Sequence, residues 1–122
     1  MLNSTNRLKK RKEFAYLYNN GKAKHSEHLT IVYLPTKHRP LKVGFSVSKK
    51  IGKAHTRNLI KRRLRAIMRD IVPTMLNNYN VVIIAKAGID QMPFGMLRAE
   101  LSSLINLTEL KSWVWLQLSS RH

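Results

Sequence analysis

The chain has 122 residues, a length that suits one compact domain, and an apolar fraction of 43%, which is large enough for a hydrophobic core. These values exclude a disordered basic tail. The formal net charge of +17 belongs to the first part of the chain, because residues 1–69 hold 19 Lys or Arg and two acids, whereas residues 70–122 hold four of each. An excess this one-sided predicts a surface for a polyanionic partner.

Cysteine is absent, which excludes disulfide bonds and thiolate zinc sites and leads us to expect a cytoplasmic protein. The apolar runs are too short to cross a bilayer, and no secretory signal is visible. We therefore expect no membrane partner.

The first predicted element is a short helix from Lys9 to Asn20. Phe14, Leu17 and Tyr18 have the i, i+3, i+4 spacing that places side chains on one face of a helix. Gly21 is expected to stop the helix at its C-terminal end. Taken alone, this spacing favours packing of Phe14 and Tyr18 in the core, because aromatic residues on such a face usually point inward.

Two strands are predicted after this helix. Leu29–Leu34 (LTIVYL) is rich in β-branched and aromatic residues and ends before Pro35. After a turn over Thr36–Pro40, Leu41–Ser48 (LKVGFSVS) alternates between large apolar residues and small or polar ones, so one face should pack on the core. The other face is a candidate groove floor and carries Lys42, Gly44, Ser46 and Ser48.

A basic loop over Lys49–His55 leads to a helix from Arg57 to about Val72, with Thr56 as a plausible N-cap and Pro73 as its interruption. The remaining predicted elements are an interior strand over Val81–Ala85 (VVIIA), a helix from Gln91 to about Asn106, and a segment over Trp113–Leu118 (WVWLQL) that is either a strand or a final helical turn.

The helix after the basic loop carries cations along one side. Its apolar stripe, at 100° per residue, consists of Ile60, Leu64, Ile67 and Ile71. The opposite stripe consists of Asn58, Lys61, Arg62, Arg65 and Arg69. No acid stands at i+4 within the helix to relieve the repulsion, although like charges at that spacing destabilise a helix. We infer that an anion from outside neutralises this surface.

Nucleic acid is the favoured partner for this surface. A run of charges is usually a solvated face, but the missing acids argue against that interpretation here. A membrane-surface helix would need bulky apolar or Trp residues for contact with lipid, whereas this apolar stripe has the spacing of a core contact. The planar Arg fork, in contrast, matches phosphate oxygens and stacks on bases.

Three blocks of the sequence, Arg7–Gly21, Gly44–Gly52 (GFSVSKKIG) and Arg57–Arg65 (RNLIKRRLR), closely resemble the bacterial ribonuclease P protein subunit. They are similar to that family's opening helix, its strand and Ser-Lys-Lys-like loop, and its Arg-Asn-Arg-x-x-Lys-Arg-x-x-Arg helix. The resemblance extends over residues 7–105 in the same order and spacing. Leu59 departs from it, because the family often has a second Arg there.

The resemblance implies an α+β fold with a single domain of α-β-β-β-α-β-α order and a mixed four-stranded sheet, of the ribosomal-protein-S5-domain-2-like class. It also implies a left-handed β-α-β crossover, which the usual handedness rule would not predict. The residues alone predict three of the four strands, so a short edge strand is the element to be expected in addition. Residues 1–122 would then form one RNA-binding domain with flexible segments at 1–6 and 119–122.

The resemblance further implies the protein subunit of ribonuclease P, a ribonucleoprotein endonuclease that removes the 5′ leader from precursor tRNA. In such an enzyme the RNA carries the catalysis with magnesium ions, and the protein binds that catalytic RNA 1:1 and holds the leader in a central cleft. The protein alone is expected to bind no cofactor. The alternatives are a basic ribosomal-type protein, an RNA chaperone, and a protein-only nuclease.

A protein-only nuclease finds no support in the sequence, because no catalytic constellation is visible. The six acids are isolated from one another in the sequence. The histidines lack the spacing of metal ligands and are interpreted as solvated surface residues; they are His25, His28, His38, His55 and His122.

Two binding surfaces are predicted. The RNA-binding set consists of Lys49, Lys50, Lys53, Arg57, Asn58, Lys61, Arg62, Arg65 and Arg69. The leader cleft, in which Phe14 and Tyr18 are placed by the resemblance, consists of Phe14, Tyr18, Ser46 and Ser48. Val32 or Tyr33 adds to the cleft wall, according to strand register. No residue is assigned to catalysis or as a metal ligand, although Asn58 is expected to contact metal-bound water or phosphate indirectly.

Overall fold

The computed structural model describes residues 7–37, 41–76, 78–108 and 110. Within them three α-helices and four strands follow one another in the predicted α-β-β-β-α-β-α order. Their bounds are α1 (Arg11–Asn20), β1 (Lys22–His25), β2 (Leu29–Pro35), β3 (Lys42–Ser46), α2 (Ala54–Ile71), β4 (Tyr79–Ala85) and α3 (Phe94–Asn106). Short 3-10 turns over Val72–Thr74 and Ile89–Gln91 precede β4 and α3.

The four strands form a mixed sheet in the order β1-β2-β4-β3. β2 pairs antiparallel with both β1 and β4, and β3 pairs parallel with β4. The connection between the parallel pair contains α2, as the expected β-α-β crossover requires. β4 lies inside the sheet, which confirms the interior position predicted from its continuous apolar run.

The two faces of the sheet are covered unequally. Ile31 on β2 and Ile83 on β4 point to the same side and belong to the main core, together with the apolar stripes of α2 and α3. Val32 and Val82 point to the opposite side and form a smaller cluster with Leu8 and Leu17. α2 and α3 therefore lie on one face, and α1 covers only part of the other.

β1 is the edge strand that the residues alone do not predict. All four residues of Lys22–His25 are exposed, and the segment contains no β-branched residue. It is a strand because β2 offers it a partner, and not because of an apolar pattern of its own. Its lysines also keep this edge from pairing with another chain.

Both longer helices begin at residues other than those predicted. α2 begins at Ala54 after Lys53 as N-cap, so the prediction of Thr56 as N-cap is wrong and Thr56 lies in the first turn. α3 begins at Phe94 rather than Gln91, because Pro93 disfavours helical backbone at the residue before it. Pro73 does interrupt α2, whose α-helical part ends at Ile71.

Gly21 ends α1 as predicted, but by a different cause. Its backbone is extended, with a φ of −81°, rather than left-handed. A Cβ atom at this position would lie 2.7 Å from the Leu17 carbonyl oxygen and 2.8 Å from Val32 Cγ1. The glycine is needed because α1 turns into β1 directly against β2.

Several predictions fall outside the described residues. They concern the flexibility predicted for residues 1–6 and 119–122, the WVWLQL segment at 113–118, the part of the turn at 38–40, and the solvated positions predicted for His38 and His122.

Candidate nucleic-acid interface

α2 presents its cations to solvent because its apolar stripe is buried. Ile60, Leu64 and Ile67 are at most 2% exposed and belong to the main core. Asn58, Arg62 and Arg69 on the other side are exposed, and Lys61 is half-buried. The helix thus folds as its periodicity predicts, and the predicted RNA-binding side chains lie along its outer surface.

The loop before α2 extends this surface. Lys49, Lys50 and Lys53 are all exposed between the end of β3 and the start of α2. Arg57 Nε donates a hydrogen bond of 3.2 Å to the Gly52 carbonyl oxygen, which fixes the first turn of the helix against the loop. The predicted set is therefore brought together, as one basic face that consists of residues 49, 50, 53, 57, 58, 61, 62, 65 and 69.

Few carboxylates reach the basic face. Among the described residues, one cation of this face forms an ion pair: Arg69 Nε lies 3.7 Å from Asp70 Oδ1. Asp70 is shared, because its Oδ2 also lies 3.0 Å from Arg98 Nη1 on α3. The other cations of the face have no carboxylate partner among the described ion pairs, so their charge is left for an external anion.

Arg65 and Arg7 bring two positive charges together beside β3. The Arg65 guanidinium carbon lies 6.0 Å from the centre of the Phe45 ring. Burial and, after it, the charge of Arg7 lower the pKa of Arg65, although an arginine remains protonated at neutral pH. Arg7 Nε is buried without a hydrogen-bond partner in the described structure. The predicted RNA-binding set does not include Arg7, because only the bridge between Arg7 and Val43 shows that Arg7 lies beside β3.

The predicted leader cleft lies on the α1 side of the sheet. The Phe14 and Tyr18 rings have centroids 6.5 Å apart at 53°, and Tyr18 is 47% exposed. Phe14 is half-buried and packs against the smaller cluster, so it also has the core contacts that its spacing favours. Its ring lies over Gly44, where a Cβ atom would come within 2.5 Å of Phe14 Cζ.

Strand pairing defines a candidate cleft floor on the same face of the sheet as these rings. Ser46 pairs with Ile84, Ile84 with Thr30, and Thr30 with His25, so the four side chains form one row across the sheet. His25 Nδ1 lies 2.9 Å from Thr30 Oγ1. The sequence does not single out Thr30 and Ile84, because only the register of β2 and β4 shows which of their residues face α1.

The same register decides between the two candidates for the cleft wall. Val32 points to the α1 side and Tyr33 to the main core, where it is 2% exposed. Ser48 follows the end of β3 and is exposed in the loop that leads to the basic face, so the row across the sheet includes Ser46 but not Ser48. β3 therefore connects the two predicted surfaces.

One cluster of polar side chains combines a serine, a histidine and a glutamate. Ser26 Oγ donates to Glu100 Oε2 at 2.6 Å, and His28 Nδ1 donates to Glu100 Oε1 at 2.8 Å. Both groups contact the carboxylate, and no hydrogen bond joins the serine to the histidine that could activate it as a nucleophile. His28 is thus a partner of Glu100 in a structural contact, which corrects its interpretation as a solvated residue.

The described residues contain neither a metal-binding cluster nor a helix that could span a membrane. Within residues 7–37, 41–76, 78–108 and 110, no three His, Asp or Glu side chains lie together as a metal site. None of the helices in these ranges has the length and apolar character required to cross a membrane.

Comparisons with known proteins agree on one family. A family model described as Ribonuclease P matches residues 2–109. The chain is 35% identical over 104 residues to the ribonuclease P protein component of Caldanaerobacter subterraneus, covering 85% of this chain and 90% of that one. It is 32% identical over 109 residues to that of Streptococcus agalactiae, covering 89% and 99%.

Solved structures have the same fold. The RNase P protein of Staphylococcus aureus gives a TM-score of 0.82 at 23% identity, covering 88% of this chain and 98% of that one. The RNase P protein of Thermotoga maritima gives 0.74 at 25% identity, covering 84% and 94%.

Proposed function

Because this chain belongs to the ribonuclease P family and is its protein component, we propose that it binds the catalytic RNA and the 5′ leader of precursor tRNA, and so assists removal of the leader. Membership in the family gives it an RNA partner and a role in tRNA processing. We further propose that the protein forms a 1:1 complex with the catalytic RNA in the cytoplasm, that precursor tRNA is the substrate, and that the RNA carries the chemistry.

The observation that carries the proposal is the basic face. Its cations follow one outer surface of α2 and the preceding loop, and the described structure gives them little carboxylate compensation. A rigid helix with guanidinium and ammonium groups at regular spacing suits the phosphates of a structured RNA. Arg7 and Arg65 add two like charges at the β3 edge, where a phosphate would relieve their repulsion.

The second contact is with the leader. Tyr18 is 47% exposed on α1, which lies on the face of the sheet to which Ser46, Thr30 and Ile84 also point. Single-stranded RNA is commonly bound in this way, by aromatic rings that stack on bases above an open sheet. Because β3 leads from the cleft floor into the basic loop, one RNA strand could pass from the cleft to the basic face without leaving the protein.

Magnesium belongs to the RNA in this proposal. The described residues offer no cluster of acids and histidines for a metal ion, and their serine, histidine and glutamate are arranged as a structural contact. The exposed amide of Asn58 is proposed to contact phosphate or metal-bound water at the junction with the substrate. In this proposal the protein positions RNA, and the RNA and its magnesium ions perform the hydrolysis.

Reconstitution tests the function. Precursor tRNA is incubated with the catalytic RNA over a range of magnesium concentrations, with and without this protein. We expect the protein to lower the magnesium concentration needed for leader removal, and the protein alone with magnesium to cleave nothing. Cleavage by the protein alone would indicate a protein-only nuclease, whereas RNA binding without any effect on cleavage would favour a ribosomal-type protein or an RNA chaperone.

A further inference from the structure

A groove between α2 and α3 adjoins the basic face. It has a volume of about 270 Å³ and is lined by Leu59, Arg62, Arg63, Ala66, Arg69 and Phe94. Leu59 is 38% exposed and Phe94 is 40% exposed. Both side chains line the same groove, so they form a small exposed apolar surface between the two helices.

The apolar part of the groove lies on a flank of α2 outside the basic face, whereas Arg62 and Arg69 belong to both the groove and the basic face. At 100° per residue, Leu59, Arg63 and Ala66 lie on the side of the helix away from Lys61 and Arg65. This side faces α3, as shown by the 3.0 Å ion pair between Asp70 on α2 and Arg98 on α3. The ion pair joins the two helices on the same side of α2 as Leu59 and Arg63, and both of its side chains are partly exposed.

The rim of the groove is cationic. Arg69 shares Asp70 with Arg98, whereas Arg62 and Arg63 have no carboxylate partner among the ion pairs of the described residues. An apolar floor beneath guanidinium groups is complementary to a nucleotide, whose base stacks on apolar or aromatic side chains and whose phosphates pair with arginine. A protein partner with an acidic rim would match the charges but would leave the small size of the groove unexplained.

We propose that this groove binds one unpaired base of the catalytic RNA, which stacks against Phe94 and Leu59 while its flanking phosphates contact Arg62 and Arg63. This inference rests on the proposed function, because it assumes that the chain binds that RNA. The volume lies just below the roughly 300 Å³ at which sites for drug-sized ligands begin, so it suits a single ring system.

The position of the groove identifies the source of the base. α2 and α3 pack on one face of the sheet, and the proposed leader cleft lies on the other face, beside α1. A leader in the cleft would have to pass around the sheet to reach Phe94. The groove shares Arg62 and Arg69 with the basic face, which is the surface proposed for the catalytic RNA. The base therefore belongs to the catalytic RNA.

Binding measurements on the full chain test the stacking contact. We expect Phe94→Ser to weaken affinity for the catalytic RNA about 5- to 150-fold, the range typical of one base stacked on an aromatic ring, and Leu59→Ser to weaken it by a smaller factor. The salt dependence of affinity should stay unchanged, because neither substitution removes a phosphate contact. Met96→Ser is the matched control, since Met96 is on the same helix, is 62% exposed and lies outside the groove. The affinity of the Met96→Ser protein for the catalytic RNA should stay within about twofold of that of the unchanged protein.

Two further measurements make the test decisive. A benzophenone amino acid at position 94 of the assembled enzyme with precursor tRNA should cross-link to an unpaired nucleotide of the catalytic RNA, and the same group at position 96 should not. Cross-linking to precursor tRNA, or equal yields at both positions, would overturn the proposal. So would a Phe94→Ser protein that has a lower free energy of unfolding and normal RNA affinity, because the groove would then serve internal packing. If the unchanged protein shows no affinity for the catalytic RNA, the proposed function itself fails.

Discussion

Single side chains tie distant parts of the fold together, and Glu100 is the clearest case. Its carboxylate accepts hydrogen bonds from the Ser26 hydroxyl, the His28 ring and the His28 backbone N–H, and so ties the β1–β2 turn to α3. Burial raises the pKa of Glu100, but these hydrogen bonds and the charge of His28 outweigh burial, and the net effect lowers the pKa below its ordinary value.

This lowered pKa predicts a loss of stability in acid. A carboxylate whose folded pKa lies below its unfolded pKa contributes stability above the ordinary value of 4.5, and loses it as the pH falls through the folded pKa. Glu100→Gln should therefore lower the free energy of unfolding by about 1–3 kcal/mol at neutral pH, and the difference from the unchanged protein should shrink below pH 4.5.

Denaturant titrations at a series of pH values measure this difference. Glu27→Gln is the control, because Glu27 is an exposed carboxylate in the same turn. If the difference in free energy of unfolding between Glu100→Gln and the unchanged protein stays constant down to strongly acidic pH, the ionised carboxylate does not stabilise the fold.

Tyr18 is the residue that best separates the leader cleft from the rest of the surface. Tyr18→Ala should weaken binding of precursor tRNA with a long leader by about 1–3 kcal/mol, the contribution of one stacked base, and leave binding of mature tRNA nearly unchanged. Tyr16→Ala is the matched control, because Tyr16 lies on the same helix and is 61% exposed. Equal losses for both RNAs on replacing Tyr18 would argue against a leader cleft.

At the scale of elements, the cleft exists because α1 covers the sheet only in part. The Phe14 ring lies directly over Gly44, and a Cβ at position 44 would be 2.5 Å from Phe14 Cζ and 3.1 Å from Leu8 Cβ. The absence of a side chain at Gly44 thus sets how closely α1 approaches the sheet, and with it the position of Tyr18 relative to the sheet.

Gly44→Ala tests this contact. The new methyl group would push Phe14 away, so we expect a loss of about 1–3 kcal/mol in the free energy of unfolding and weaker leader binding. Gly95→Ala is the control, because a Cβ at Gly95 in the first turn of α3 has nothing within 4 Å and should be neutral or stabilising. The free energy of unfolding of both variants, measured by denaturant titration, gives the comparison. A Gly44→Ala protein as stable as the unchanged one would mean that α1 adjusts freely.

The elements also show what the sequence can predict. α2 and β4 follow from strong local patterns, an apolar stripe on a cationic helix and a continuous apolar run. β1 does not, because Lys22–His25 is exposed and is a strand only through its partner β2. The row formed by Thr30, Ile84 and Ser46 is equally hidden, since it depends on which residues of three separate strands stand opposite one another.

Across the whole molecule, the positive charge and the elements that complete the core come from different parts of the chain. The positive half of the chain supplies α1, the first three strands and α2, and the nearly neutral half supplies β4 and α3, which complete the core. Both proposed RNA surfaces are built mainly from the positive half and meet at β3. The protein supplies few carboxylates to the basic face, and we infer that phosphates of RNA neutralise it.

The dependence of RNA affinity on salt tests that claim most directly. The affinity of the unchanged protein for the catalytic RNA should fall steeply as salt rises, and Lys61→Ala should reduce the slope of log affinity against log salt by about one unit, the effect of one lost phosphate contact. Lys24→Ala on β1, an exposed lysine at the far edge of the sheet, should leave the slope unchanged. A shallow slope for the unchanged protein, or equal slopes for Lys61→Ala and Lys24→Ala, would contradict the account.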